Sequence, residues 1–97
     1  MEGITPEARP RLRPYVRVQW DPVRERQVLL APEGVLVLNQ TAGAILALCD
    51  GRRSVAAIAA ELGAQYQRDV EPDVRAFLAR LAGKRMLEFA VEEAADE

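Results

Sequence analysis

Histidine is absent from this chain of 97 residues, and the other residue types that carry most enzyme chemistry are scarce. The sequence contains one cysteine (Cys49), one serine (Ser54) and one lysine (Lys84). Catalysis by a serine or cysteine nucleophile needs a neighbouring base, which is usually histidine. A single cysteine cannot form a Cys/His zinc site, an iron–sulfur cluster or an internal disulfide. We therefore expect no catalytic residues, no metal ligands and no bound cofactor, and we predict that the chain is not an enzyme.

Long hydrophobic runs are also missing. The longest apolar stretch, residues 42–49, is far shorter than the roughly 20 residues that a membrane-spanning helix needs. The first 14 residues contain no apolar signal segment. Apolar residues make up 49% of the chain and charged residues 29%, which is the balance of an ordinary globular domain. We therefore expect one cytoplasmic domain without membrane contact.

Charge is distributed unevenly, although the net charge is only −2. Six arginines lie within the first 26 residues, whereas the last ten residues carry five acidic side chains and no basic one. Three prolines among the first arginines predict a flexible, extended arm over residues 1–14. A single domain over residues 15–90 and an acidic tail over residues 91–97 complete the predicted organisation. Both ends are interpreted as solvated, with charge-driven docking of a partner as the alternative.

β-Branched and aromatic residues predict three strands in the front half of the chain. These strands span residues 15–20, 26–31 and 35–38, and turn-forming residues separate them. Short connections of this kind predict an antiparallel meander. The third strand is wholly apolar and ends the meander, which predicts an exposed sheet edge; a strand buried on both faces is the alternative.

The apolar period lengthens after Asn39, which predicts helices in the rest of the domain. Asn39, Ser54 and Pro72 are typical residues at helix starts, so three helices are predicted. The fold class is α+β, a three-stranded antiparallel sheet followed by a three-helix bundle, similar in its elements to a winged helix-turn-helix. Cys49 is interpreted as a small core residue, and Trp20 as a structural one.

Several short strings occur in an order found in one known family. Residues 20–23 (WDPV) and 28–34 (VLLAPEG) are followed by residues 38–42 (LNQTA), 45–51 (ILALCDG) and 73–78 (DVRAFL). No single string is specific, but the ordered set resembles the PqqD family across the predicted domain.

The resemblance implies a role in the biosynthesis of pyrroloquinoline quinone (PQQ), the redox cofactor of bacterial dehydrogenases. PqqD proteins bind the ribosomal precursor peptide PqqA and present it to PqqE, a radical S-adenosylmethionine enzyme that crosslinks a Glu and a Tyr side chain of the peptide. In the family fold the peptide lies between the third strand and the third helix. The expected partners are thus PqqA and PqqE, with no nucleic acid and no membrane.

Applied to this sequence, the resemblance predicts a peptide groove between the third strand and the third helix. An edge strand offers unpaired N–H and C=O groups to an added strand. On the helix, Leu78 is the preferred groove contact, while the stripe of Val74, Phe77 and Leu81 is assigned mainly to the core. The predicted peptide-binding residues are Val35, Leu36, Val37, Leu38, Val74, Arg75, Leu78 and Leu81.

Three further expectations concern how the groove is used. Arg75, Arg80 and Arg85 either meet carboxylates of the peptide or form an ordinary solvated surface. Leu36 is expected to supply an outward backbone donor, so that proline there would block an added strand. The working state is predicted to be a monomer that can pair into a homodimer through the same edge at high concentration.

Two other functions fit the same elements. A winged-helix DNA-binding protein would insert its third helix into the major groove, but this chain lacks the basic footprint that such a protein needs. An oligomeric adaptor without a peptide site would use its third strand to pair with another subunit. Salt-dependent DNA binding and peptide-independent association would identify these alternatives.

Overall fold

The computed structural model describes residues 4–90 as a mixed α+β structure. Its elements, in chain order, are β1 (Arg9–Leu12), β2 (Arg17–Asp21), β3 (Arg26–Ala31), β4 (Gly34–Val37), α1 (Gln40–Ala47), α2 (Val55–Tyr66), α3 (Glu71–Gly83) and β5 (Leu87–Ala90). The predicted α+β class is confirmed. The likeness to a winged helix-turn-helix stays a prediction, and the predicted acidic tail, residues 91–97, lies outside the described residues.

The predicted meander forms an antiparallel sheet in the order β2-β3-β4. Val18 of β2 pairs with Leu29 of β3, which pairs in turn with Leu36 of β4. Side chains alternate between the faces of a sheet, so residues paired in this way share one face. Leu29 is fully buried in the main core cluster, so this is the face that packs against the helices.

A second, two-stranded sheet joins the two ends of the described chain, and local sequence patterns did not predict it. β1 pairs with β5 in antiparallel register, with Pro10 opposite Phe89. The Nε of Arg11 donates to Oε2 of Glu88 at 2.8 Å across the same pair of strands. Residues 9–12, which the sequence analysis assigned to a flexible arm, are therefore held in the fold.

Local capping interactions determine where the helices begin. Oδ1 of Asn39 accepts the Ala42 N–H at 2.8 Å, and Oγ of Ser54 accepts the Ala57 N–H at 3.0 Å. Each oxygen satisfies a backbone donor that the first turn of a helix leaves unpaired. In α3, Pro72 occupies the first turn, where its missing N–H carries no cost. The predicted helix starts are confirmed to within one residue.

The core lies between the inner face of the three-stranded sheet and the helices. Its fully buried members include Leu29, Ile45, Val55, Ile58, Leu62, Val74, Leu78 and Leu81. Full burial of one such side chain contributes about 1.5–3 kcal/mol relative to exposure. This packing holds the helices against the sheet and determines where α3 lies relative to β4.

Cys49 belongs to this core, as the sequence predicted. Its side chain is 8% exposed, and Sγ donates to the Ile45 carbonyl at 3.3 Å. Burial raises the pKa of the thiol to about 12. Because the thiolate is the reactive form of cysteine, the residue behaves at neutral pH as a small apolar side chain.

Candidate functional site

β4 lies at an edge of the three-stranded sheet and has one face in the core and the other in solvent. The side chains of Val35 and Val37 are 57% and 43% exposed. Leu36 is partly buried, and Leu38, just after the strand, is 2% exposed. This alternation excludes a strand buried on both faces. Within residues 4–90, no other strand pairs with the free side of β4.

The register of β4 decides which backbone groups point away from the sheet. The Leu38 N–H donates to the Gln27 carbonyl at 2.9 Å, which continues the ladder between β3 and β4. Hydrogen-bonded and non-hydrogen-bonded pairs alternate along an antiparallel ladder, so Leu36 also directs its N–H and C=O towards β3. Val35 and Val37 direct theirs to the free side. The expectation that the Leu36 N–H points outward is therefore wrong; the outward donors are the N–H groups of its neighbours, Val35 and Val37.

A groove runs along the free side of β4, with α3 as its other wall, and we call it the β4–α3 groove. A cavity of about 430 Å³ occupies the part near the end of β4, and one of about 250 Å³ occupies the part near its beginning. Leu36 lines both cavities, and Phe77 and Ala76 line the first one from α3. Lys84 and Met86 line the second, beyond the end of α3. The groove therefore combines an apolar patch, formed by Leu36 and Phe77, with polar and charged side chains such as Asp73 and Arg80.

The residues of α3 that face this groove are not the ones that the sequence predicted. Leu78, Val74 and Leu81 are each 0% exposed and belong to the core. Phe77, which was assigned to the core, is partly buried: it packs against the core cluster and also lines the groove. A stripe of positions 74, 77 and 81 and a stripe of positions 74, 78 and 81 both fit the spacing of one helix face. The spacing therefore could not distinguish Phe77 from Leu78.

Basic side chains lie near the groove, but their availability differs. Arg68 and Arg75 each lie within 3.4 Å of an acidic side chain of α3. Arg80 lines the first cavity of the groove, and it has no ion pair within residues 4–90. Arg85 follows the end of α3 with a left-handed backbone conformation (φ 61°) and lines neither cavity. Arg80 is therefore the predicted arginine best placed to meet an incoming carboxylate.

A larger cavity, of about 780 Å³, lies between α1 and the β2–β3 hairpin, and we call it the Trp20 cavity. Val18 and Trp20 line it from β2, and Gly43 and Ala47 line it from α1. The Trp20 side chain is 52% exposed, although the sequence analysis assigned it a structural role. Asn39 lines both this cavity and the first cavity of the β4–α3 groove. The two sites therefore meet at the start of α1.

Asp21 shapes the hairpin turn that follows Trp20. Its Oδ2 accepts a hydrogen bond from Nη1 of Arg24 at 2.6 Å, and its Oδ1 accepts the Val23 N–H at 3.0 Å. The hydrogen bond from the Arg24 side chain is the main cause that lowers the pKa of the Asp21 carboxyl. The carboxylate therefore stays ionised at neutral pH and stabilises the turn beside the Trp20 cavity.

The arrangement offers groups that could bind an extended peptide. Backbone donors and acceptors, an apolar wall and an arginine converge along β4. Among residues 4–90, no three His, Cys, Asp or Glu side chains come together as metal ligands would. None of the helices in that range is both long and apolar enough to cross a bilayer.

Comparison with known proteins places these features in a family. The chain matches the family model Coenzyme PQQ synthesis protein D (PqqD) over residues 26–87. It is 42% identical over 77 residues to the PqqA binding protein of Methylococcus capsulatus, covering 78% of this chain and 83% of that protein. It is 44% identical over 90 residues to the PqqA binding protein of Xanthomonas axonopodis pv. citri, covering 90% of this chain and 98% of that protein.

Solved structures of similar proteins share the fold. One is the solution NMR structure of the PqqD truncation of Methylobacterium extorquens PqqCD, a stand-alone recognition element for ribosomally synthesized and post-translationally modified peptides. It aligns with a TM-score of 0.75 at 44% identity, covering 88% of this chain and 94% of that one. The crystal structure of PqqD from Xanthomonas campestris aligns with a TM-score of 0.55 at 40% identity, covering 79% and 89% of the two chains. The family match spans both walls of the β4–α3 groove, and the chain therefore belongs to the PqqD family of coenzyme PQQ synthesis proteins.

Proposed function

We propose that this chain works in the cytoplasm as the peptide-recognition component of PQQ synthesis, binding the precursor peptide PqqA and presenting it to the radical S-adenosylmethionine enzyme PqqE. The observation that carries the proposal is the apolar edge strand β4 beside a groove walled by α3. Relatives that are 42% and 44% identical carry the name PqqA binding protein. Their names support PqqA as the peptide.

In this proposal the peptide adds to β4 as an antiparallel strand. Val35 and Val37 offer their N–H and C=O groups, and each new hydrogen bond contributes about 1 kcal/mol net. Ordering each peptide residue costs about 1–2 kcal/mol. Backbone pairing alone therefore does not hold the peptide, and apolar side chains must supply the remaining affinity.

The apolar wall that receives those side chains consists of Leu36 and Phe77. Alternate residues of an added strand point to the same side, so every second peptide residue faces the groove. Full burial of one Leu- or Phe-sized side chain contributes about 1.5–3 kcal/mol, which is comparable with several backbone hydrogen bonds. Arg80 gives a carboxylate of the peptide a cationic partner at the same end of the groove.

Presentation follows from the same arrangement. Peptide residues that do not face the groove point towards solvent, where a second protein can reach them. The chain has no histidine, and its cysteine is buried, so we assign the crosslinking chemistry to PqqE. In this account the chain is a non-catalytic partner that orders a flexible substrate before the enzyme acts.

The two alternative functions have weaker support. A DNA-binding α3 would need a continuous basic face, but Arg75 pairs with Glu71. Arg80 is the other arginine of α3, and one arginine that is unpaired within residues 4–90 does not make such a face. An adaptor without a peptide site would pair β4 with a second copy of the chain. We propose a monomer as the peptide-binding state, so saturating PqqA should dissociate any dimer that forms through this edge.

Titration of the ¹⁵N-labelled chain with a synthetic PqqA peptide tests the proposal. The amide signals of Val35, Val37 and Phe77 should shift, whereas that of the exposed loop residue Arg52 should stay in place. Shifts confined to β1 and to the loop between α1 and α2 would contradict the placement of the peptide. Absence of any shift at millimolar peptide would contradict peptide binding itself.

Addition of PqqE to the labelled complex tests presentation. The signals of the chain should broaden as a larger complex forms, while the peptide-induced shifts at Val35 and Val37 persist. Loss of those shifts on addition of PqqE would mean that the enzyme displaces the chain from the peptide, and presentation would be rejected.

A further inference from the structure

The Trp20 cavity lies at the end of the sheet where the N-terminal part of a bound peptide must emerge. β4 runs from Gly34 to Val37, so a peptide antiparallel to it runs from the Val37 end to the Gly34 end. Residues that precede the paired segment therefore leave the groove beside Val37 and Asn39. We propose that these upstream residues pass round the start of α1 and place an apolar or aromatic side chain in the Trp20 cavity. The proposal rests on the antiparallel peptide mode described above.

The path between the two sites is short. Asn39 lines both cavities, and the exposed Gln40 next to it lines the Trp20 cavity. A peptide strand added outside β4 lies three strand spacings from β2, which is about 14 Å, and about four extended residues cover that distance. An upstream segment of only a few residues is therefore long enough to reach Trp20.

The lining of the Trp20 cavity determines the class of side chain that it would accept. Leu38 and Leu46 form its inner wall, and Val18 and Trp20 form the more exposed side. The side chains of Val18 and Trp20 are 39% and 52% exposed in the free chain. An indole with this much uncovered surface favours contact with an aromatic or aliphatic side chain. The ligand that we propose for this cavity is the same peptide, because the cavity continues the β4–α3 groove.

The fluorescence of Trp20 reports on this cavity directly, since the chain has one tryptophan. The test uses a synthetic PqqA peptide, with any tryptophan replaced by phenylalanine, and two shortened peptides that lack residues on one side of the β4-paired segment. The full-length peptide should shift Trp20 emission to shorter wavelength and reduce its quenching by acrylamide. The N-terminally shortened peptide should bind about tenfold more weakly, as expected for loss of one well-packed contact, and should leave the emission unchanged.

A matched pair of variants tests whether Trp20 itself makes the contact. Trp20→Ala should weaken binding of the full-length peptide by about tenfold, and N-terminal shortening should then cause no further loss. Gln19→Ala is the control, because Gln19 is the neighbouring residue and faces the opposite side of the sheet. It should bind both peptides like the unmodified chain. Circular dichroism of both variants verifies that the fold is retained.

Several outcomes would overturn the inference, and they are distinguishable from failure of the proposed function. If emission and quenching of Trp20 do not change at saturating full-length peptide, while Val37→Pro still weakens binding, the β4 site stands and the Trp20 site is rejected. Dependence on C-terminal rather than N-terminal shortening would reject the direction of the peptide. A Trp20 response that requires PqqE, or that rises with protein concentration without peptide, would assign the cavity to the enzyme or to a second copy. No binding of the full-length peptide would reject both proposals.

Discussion

The three-stranded sheet has two free edges, β2 and β4, and they differ in the properties that matter for adding a strand. β2 carries Arg17 and Asp21 at its ends and Gln19 in its middle, whereas β4 contains no charged or polar side chain. Charged side chains on an edge strand are a common protection against unwanted pairing. β4 also has α3 beside it, so an added strand gains an apolar wall as well as hydrogen bonds. An edge position alone therefore does not define where a strand can add; the missing charges and the position of α3 along the free side of β4 do.

The largest effects on the β4 edge should come from proline at adjacent positions, because alternate residues point to opposite sides. Leu36→Pro removes a hydrogen bond to β3 and should lower the free energy of unfolding by about 1–3 kcal/mol, because the β3 carbonyl loses its donor. Val37→Pro removes only an outward donor, which an edge strand tolerates. It should leave most of the stability but weaken PqqA binding by about tenfold.

Urea unfolding and isothermal titration calorimetry of the two proline variants measure both quantities. If Leu36→Pro and Val37→Pro lose the same stability, the register deduced for β4 is wrong. If Val37→Pro binds PqqA with unchanged affinity, the peptide does not bind at the free side of β4. The proposed difference between the β4 and β2 edges would then be wrong.

Substitutions at two adjacent residues of α3, Phe77 and Leu78, distinguish a contact in the groove from a contact in the core. Leu78→Ala leaves a cavity at a fully buried position and should lower the free energy of unfolding by about 2–5 kcal/mol. Phe77→Ala should cost less stability, because Phe77 is only partly buried. It should weaken PqqA binding by about tenfold or more, as expected for loss of an aromatic contact.

The folded fraction of Leu78→Ala, measured at low temperature, should bind PqqA nearly as well as the unmodified chain does. The reverse pattern, with binding lost in Leu78→Ala and retained in Phe77→Ala, would restore the assignment made from the sequence. It would require α3 to rotate or the groove to open when the peptide binds.

The smallest expected effect is electrostatic and compares two arginines on α3. Arg80→Gln should weaken PqqA binding by up to about fivefold, in line with a partly exposed charge contact of about 0.2–1 kcal/mol. Arg75→Gln should have no measurable effect, because Arg75 already pairs with Glu71 and lies outside the groove. The difference should shrink as salt is raised from 50 to about 500 mM. Equal losses in the two variants, independent of salt, would argue against a carboxylate contact at Arg80.

Local patterns in the sequence account for much of the fold. Strand alternation, turn residues and the caps at Asn39 and Ser54 are properties of short segments, and the elements that they predicted are present. The β1–β5 pairing joins opposite ends of the described chain, and its register depends on packing that no short segment encodes. Pro10 also argues locally against a strand, yet β1 tolerates it at the edge of a two-stranded sheet.

The site was predictable only at the level of its elements. The resemblance to PqqD indicated a strand and a helix, but the choice between Phe77 and Leu78 depends on which face of α3 the rest of the core covers. Whether the Leu36 N–H points towards β3 or away from it depends on which residue of β3 it pairs with. The alternation of side chains along the strand does not reveal that pairing. The sequence analysis assigned Trp20 a structural role, but the residue lies beside the turn of the β2–β3 hairpin with its side chain 52% exposed.

The most direct test of the account is amide hydrogen exchange of the free chain and of its complex with PqqA. The Val35 and Val37 amides should exchange rapidly in the free chain and become protected in the complex, because each gains a partner on the added strand. The Leu36 amide should be protected in both states, since it already pairs with β3. If Val35 and Val37 exchange equally fast at saturating PqqA, the peptide does not pair with β4, and the central claim is contradicted.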